Sequence, residues 1–279
     1  MRDNSLNVPC RSRAPAQLWR ALAYLACISV FGSGAGAAER APCDLVVVEN
    51  VIVSAVSDGG RFELADGRHV RLAAIQAPML SLGRANIVDW PLAGEAKERL
   101  SKLVLGKTVG LAYEGHGVDR HGDVLAYAFV DPQKEWLQAL LVEAGMARVQ
   151  TRAEAHRCAV KWLSLESAAR KAERGIWSNV FYRVRKAETL DADIGTFQLV
   201  EGKIVSIGER RDRLFLNFGP DYRADFTVTI SPRDRKRMLK EGIDPTAWNG
   251  ISVRIRGWVS LLNGPEIELT HPEQIEILR

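Results

Sequence analysis

Glu114, His116, Asp119 and His121 crowd one short stretch of the chain, and Glu63, Asp66 and Arg71 precede them on or beside segments with strand pattern. Two imidazoles five positions apart with a carboxylate between them could hold a soft or borderline metal ion. On a loop these residue types are more commonly solvated polar groups, and the spacing fixes no geometry, so no metal site is expected. Arg71 has two readings: its guanidinium can contact a phosphate, or it can pair with a nearby acid such as Asp123. A second chemical signal lies toward the C-terminus. Ile251, Val253 and Ile255 alternate with Arg254, Arg256 and Trp258, while Leu214, Leu216 and Phe218 alternate with Arg211, Arg213 and Phe215. Successive side chains of an extended strand point to opposite faces, so both segments offer arginine and an aromatic ring away from the core. Single-stranded nucleic acids are held this way, bases stacking on rings while arginine tracks the backbone. The competing reading packs Phe215 and Trp258 against the first half of the chain.

Residues 45–56 form an apolar, β-branched run, Phe62 and Leu64 alternate with polar neighbours, and Asp66-Gly67 predicts a two-residue hairpin turn before a strand over 69–75. Leu92, Ala96, Leu100, Leu103 and Val104 recur at helical spacing, and strands are predicted over 108–113 and 124–130. Three strands, a helix and two strands are the parts of an OB-type barrel. Two more helices follow, ending at Gly145 and Gly175. A polar connector leads to strands over 200–207, 213–218 and 225–230, a short basic helix over 232–241, strands over 251–259 and 266–269 joined near Asn263-Gly264, and a closing segment over 274–278. The same order recurs, so a second small OB-like barrel is expected.

The 279 residues carry a formal charge of +4. Arg11, Arg13 and Arg20 precede an apolar run over 21–31, and Ala35-Gly36-Ala37 supplies an A-x-A pattern, the order of a signal peptide cleaved near Ala37. The run is too short to span a bilayer comfortably, and Tyr24 ahead of Cys27 argues against a lipoprotein signal. Without residues 1–37 the charge falls to +1, so bulk basicity gives no argument for polyanion binding and any such binding must come from local patches. Of the four cysteines only Cys43 and Cys158 remain in the mature chain. In an oxidising compartment they are expected to form a disulfide.

Asp58-Gly59, the segment from His69 through Arg71 and Gln76 to Pro78-Met79, Gly94-Glu95-Ala96, Asp119-Arg120-His121-Gly122 with Leu125-Ala126-Tyr127, and Ile176-Trp177-Ser178 together resemble the staphylococcal nuclease (thermonuclease) family over about residues 44–178. The resemblance implies an OB barrel that hydrolyses phosphodiester bonds. Its members use a calcium ion held by carboxylates, a glutamate acting on water and two arginines on the phosphate. At the matching positions this chain has Gly60 and Gln76 in place of carboxylates, Met79 in place of the glutamate and Asp123 in place of the second arginine; only Arg71 is of the family type.

The expectation is therefore an α+β protein, mainly β with helices. It comprises a signal peptide over 1–37, a staphylococcal-nuclease-like OB barrel over 38–178, a linker over 179–194 and a second small OB-like β-barrel over 195–279. It is expected to be exported to a periplasm or beyond the cell, to span no membrane, to be catalytically degenerate and to need no cofactor. Single-stranded DNA, RNA or another polyanion is the expected partner, through Arg71, Arg211, Arg213, Phe215, Arg254, Arg256 and Trp258. Two alternatives stand: an atypical metal-dependent phosphodiesterase, which would need Ca2+, and a non-catalytic envelope scaffold.

Overall fold

The computed structural model describes residues 42–115, 117–119, 122–130 and 135–278; the expected leader, His116 and His121 lie outside them. Strand β1, Glu49–Asp58, is ten residues long and serves two partners. Its first half pairs antiparallel with β5, Thr108–Ala112, and its second half with β2, Arg61–Leu64. Register shifts between Val53 and Ala55 and between Val56 and Asp58 bend it from one partner to the other. β2 pairs with β3, His69–Leu72, which runs parallel to β6, Val124–Val130, and β6 returns antiparallel to β5. The ring closes and leaves no open edge among its five strands. The β2–β3 turn corrects the expected two-residue loop. Gly67 has φ +85°, but Asp66 is not in the left-handed region that a two-residue type I′ turn also demands. The Leu64 N–H instead reaches the Arg68 carbonyl at 2.9 Å, closing a longer loop.

Helix α1, Ala93–Val104, turns Ala93, Ala96, Leu100 and Val104 inward, the three-to-four spacing that gives a helix one apolar stripe. Short β4, Ile75–Gln76, pairs with β8, Arg148–Val149, and β7, Glu135–Trp136, leads into α2, Leu137–Glu143. Helix α3 covers Ala159–Lys171. Gly145 ends α2 as expected, with φ +68°. Helix α3 instead ends at Lys171, with Glu173 taking the left-handed turn at φ +49° and Gly175 opening a short 3-10 turn over Gly175–Ser178. The two glycines abut: a Cβ on Gly145 would lie 2.1 Å from the Arg174 carbonyl oxygen, so only glycine fits. Phe62, Leu72, Leu111, Tyr127 and Trp162 are buried in one apolar cluster.

Cys43, just ahead of β1, is bonded to Cys158 at the start of α3, with Cα atoms 5.6 Å apart and a sequence separation of 115. The anticipated disulfide is present. Closing so long a loop restricts the unfolded chain, so reduction, or Cys158→Ser, is expected to lower stability by about 2–5 kcal/mol. Urea unfolding of oxidised and reduced protein measures it; coincident midpoints would contradict the expectation.

The segment expected as a linker is folded. The Tyr182 hydroxyl donates to the Pro91 carbonyl at 2.6 Å, and β9, Arg185–Lys186, pairs in parallel with β10, Phe197–Lys203. Tyr182, Trp177, Ile176, Ala169, Phe197 and Leu199 form a cluster shared by both halves of the chain. Beyond it come β11, Ser206–Arg210; β12, Arg213–Asn217; β13, Thr227–Ile230; α4, Pro232–Lys240; β14, Ser252–Trp258; β15, Ser260–Leu262; β16, Gly264–Glu268; and β17, Ile275–Ile277. Ser231 caps α4 by accepting the Asp234 N–H at 3.2 Å, with Pro232 in the first turn. β11 pairs with β12, β12 with β13, β13 in parallel with β16, β16 with β15, and β14 with β10. With β10 running into β11 and β14 into β15, this cyclic order repeats that of the first barrel and is consistent with a second small one. Residues 38–279 form one compact unit.

Candidate functional site

The antiparallel β2–β3 register sets Arg61 opposite Arg71, both at the rim of the first barrel. Arg71 Nη1 faces Asp119 Oδ2 at 3.5 Å, and Arg61 Nε faces Asp123 Oδ2 at 3.5 Å. The structural partner of Arg71 is thus Asp119 and not Asp123 as expected. The two aspartates belong to one turn, in which the Asp119 N–H donates to the Asp123 carbonyl at 2.8 Å and the Asp123 N–H returns to Asp119 Oδ1 at 3.2 Å. Backbone geometry that sequence spacing does not disclose decides which acid meets which arginine.

Asp58 is buried at the same mouth. Its Oδ1 accepts the Gly60 N–H at 2.8 Å and its Oδ2 lies 3.7 Å from Arg61 Nη1. Burial pushes this carboxyl above the usual aspartate range, with the Gly60 N–H and the Arg61 charge acting against the shift. Burial likewise lowers the Arg71 guanidinium from its ordinary value, helped by the charges of Arg152 and Arg61. Gly60 presents no side chain, yet a Cβ there would meet nothing closer than the Ala77 Cβ at 3.5 Å.

Gln76, at the end of β4, accepts a hydrogen bond on Oε1 from Arg148 Nη2 at 2.7 Å. Arg148 is fully buried, its guanidinium carbon 5.1 Å from the Phe197 ring, 5.3 Å from Tyr182 and 5.9 Å from Trp90. Burial lowers it to about 10, which still leaves it charged at neutral pH. Nothing in the strand pattern announced this caged cation, because Arg148 stands on a two-residue strand and its ring partners come from distant segments. Met79 is half-buried, and its carbonyl accepts the Trp90 N–H at 2.9 Å.

Glu114 accepts from the Tyr127 hydroxyl at 2.9 Å and lines a cavity of about 490 Å³ with Asp119, Arg152, Glu154, Arg233 and Arg237. Asp66 pairs with Arg68 at 2.8 Å, and Glu63 is half-buried on β2. Among the described residues no three His, Cys, Asp or Glu side chains gather as a metal-binding group.

The C-terminal candidates separate. Arg256 is 1% exposed; its Nη2 contacts Glu166 Oε2 at 2.9 Å and Glu276 Oε1 at 2.5 Å, and its Nη1 donates to the Val149 carbonyl at 3.1 Å. Arg254 is spent on Glu201 at 2.5 Å and Glu276 at 3.2 Å. Arg256 therefore joins the halves through Glu166 and Val149, while Arg254 is tied within the C-terminal half, and both are corrected from open-face candidates to packing residues. Alternation had put them on the right face, but a period of two cannot say what covers a face. Trp258 stays 51% exposed, its ring 6.2 Å from Phe197. Arg211 is exposed, and Arg213 lies 3.8 Å from Glu268 and donates to Thr229 Oγ1 at 3.4 Å. Phe215 lines a separate cavity with Asn217, Tyr222 and Asn263. Tyr222 escaped sequence reasoning, since it sits in an irregular segment between β12 and β13 with no periodicity to place it.

Residues 69–179 match the family model described as Staphylococcal nuclease homologue. No curated protein matches the chain.

Proposed function

We propose, from the premise that residues 69–179 form a staphylococcal nuclease homologue domain, that this protein binds single-stranded nucleic acid without hydrolysing it. The domain itself points to nucleic-acid-related function. What carries the non-hydrolytic reading is the state of the acids at the mouth: Asp58, Asp119 and Asp123 each face an arginine at 3.5–3.7 Å.

A hard dication needs several anionic oxygens to replace its hydration shell. The donors here do not fit one. Gly60 offers no ligand, Gln76 offers a neutral amide already accepting from a cation, and the remaining carboxylates are paired with arginine. Water activation fails separately, since a thioether at Met79 cannot take a proton. Asp123 places negative charge where a phosphate would need positive. The domain then supplies a scaffold, and contact with the polymer falls to the exposed arginines and rings of the C-terminal half. Export follows from the leader pattern and from the Cys43–Cys158 bridge, which persists in oxidising compartments. Among the described residues no helix is long and apolar enough to cross a membrane.

The reading is tested with labelled single-stranded DNA and RNA in a fluorescence anisotropy titration. If Arg210, Arg211 and Arg213 contact phosphates, the log–log salt slope is about −2, so affinity falls roughly 20-fold between about 50 and 200 mM salt. Arg211→Ala with Arg213→Ala flattens that slope. A mature protein that leaves both polymers unbound at low salt is instead the envelope scaffold.

A further inference from the structure

We infer that the outer face of β12 carries a pocket for one unpaired base of a polynucleotide. The inference rests on the nucleic-acid reading above and locates its binding site. Leu214 and Leu216 point into the core, so Phe215 and Asn217 point out, and both line a cavity of about 370 Å³, within the range of about 300–1,000 Å³ usual for small-ligand sites. Tyr222, 56% exposed, gives the cavity a second ring. Asn263, in the turn joining β15 to β16, adds a side-chain amide that has no partner among the described residues. The Asn217 amide donates to Ser206 Oγ at 3.1 Å and accepts from Thr227 Oγ1 at 3.4 Å, which leaves the Asn263 amide to meet a ligand. An aromatic platform with an amide at its margin matches a base, which has a π-face and a hydrogen-bonding edge.

The rim supplies the charge a phosphate requires. Arg210 lines the cavity and makes no ion pair among the described residues, and the Arg223 guanidinium carbon lies 5.2 Å from the Tyr222 ring centroid. The one acid lining the cavity, Glu209, is held by Arg235 at 2.8 Å. Phe215 is half-buried, open toward β11 for an identifiable reason: its cross-strand neighbour there is Gly208. A Cβ at that position would sit 4.0 Å from the Phe215 Cβ, an ordinary contact, so a larger side chain fits the strand and lies beside the ring.

That geometry provides a test that does not remove the ring. Gly208→Leu fills the cavity and, in a strand, favours folding; Phe215→Ala deletes the platform. Each is expected to weaken binding of a single-stranded oligothymidylate about 5- to 150-fold, the loss of one stacked base. An abasic strand of equal length should bind the unaltered protein correspondingly more weakly and be indifferent to both substitutions, while the Gly208→Leu thermal midpoint stays at or above the unaltered value. Equal affinity for base-bearing and abasic strands, or undiminished oligothymidylate binding by both variants, overturns the pocket while leaving the nucleic-acid reading intact. Failure of the unaltered protein to bind either strand at low salt overturns both.

Discussion

Glu166→Gln is expected to lower the thermal midpoint by roughly 6–20 °C. Glu166 is 0% exposed, and its carboxylate accepts the Val149 N–H at 2.7 Å, pairs with Arg256 at 2.9 Å and reaches Arg170 at 3.3 Å. Burial works against the Arg256 charge, and Glu166 with Glu276 outweighs it, holding the guanidinium above its ordinary value. Removing the Glu166 charge leaves the buried Arg256 with Glu276 alone among its carboxylates, and breaking a buried pair from one side costs about 3–5 kcal/mol. For a unit of this size each kcal/mol shifts the midpoint by about 2–4 °C. The same accounting predicts coupling. Arg256→Met should cost a similar amount, and the double change Glu166→Gln with Arg256→Met less than the sum, since the Glu166–Arg256 contact is then lost from both sides at once. Calorimetry of the four proteins decides it. Strict additivity would show that the pair does not hold the halves together.

The second large effect concerns hydrolysis. A general base is worth about 10²–10⁴ in rate, and an arginine on a transferring phosphoryl group about 10³–10⁵. Parts that act as a unit fail together, so the losses at Met79 and Asp123 do not multiply. Restoring the expected residues through Gly60→Asp, Gln76→Asp, Met79→Glu and Asp123→Arg should therefore raise calcium-dependent cleavage at least about 10³-fold over the unaltered chain. The geometry favours some of these changes more than others. A side chain at Gly60 has room, with the Ala77 Cβ 3.5 Å away. An aspartate at position 76 would meet Arg148, whose Nη2 now lies 2.7 Å from the Gln76 oxygen, and would share its charge with that cation. An arginine at position 123 would lose the Asp123–Arg61 pair and stand beside a like charge. The gain is accordingly placed at the lower end, and Arg148→Met added to the four changes should enlarge it.

Much of the architecture could be read from residue pattern because each element was specified locally. Alternation marked the strands, three-to-four spacing marked α1, and Gly145 stopped α2 where the backbone turns left-handed, whereas α3 ended ahead of Gly175 with Glu173 in the left-handed turn. The disulfide was legible because only two cysteines survive outside the leader. What stayed hidden was set by distant partners. Arg254 and Arg256 looked like an open basic face until Glu166, Glu201 and Glu276 were brought against them from other elements. Likewise 179–194 looked like a polar linker because the buried Tyr182 lies among charged neighbours. At the mouth, Gly60, Gln76, Met79 and Asp123 were offered by resemblance alone, and no spacing disclosed the arginines that face the carboxylates there.

The central claim is that no dication is seated and no water readied beside Arg71. Its most direct test is a digestion time course in which the mature, unaltered protein is incubated with labelled single-stranded DNA in excess calcium, beside its Arg71→Ala variant. Full-length strands are expected throughout, indistinguishable from a protein-free control. Calcium-dependent shortening that vanishes in the variant would contradict it.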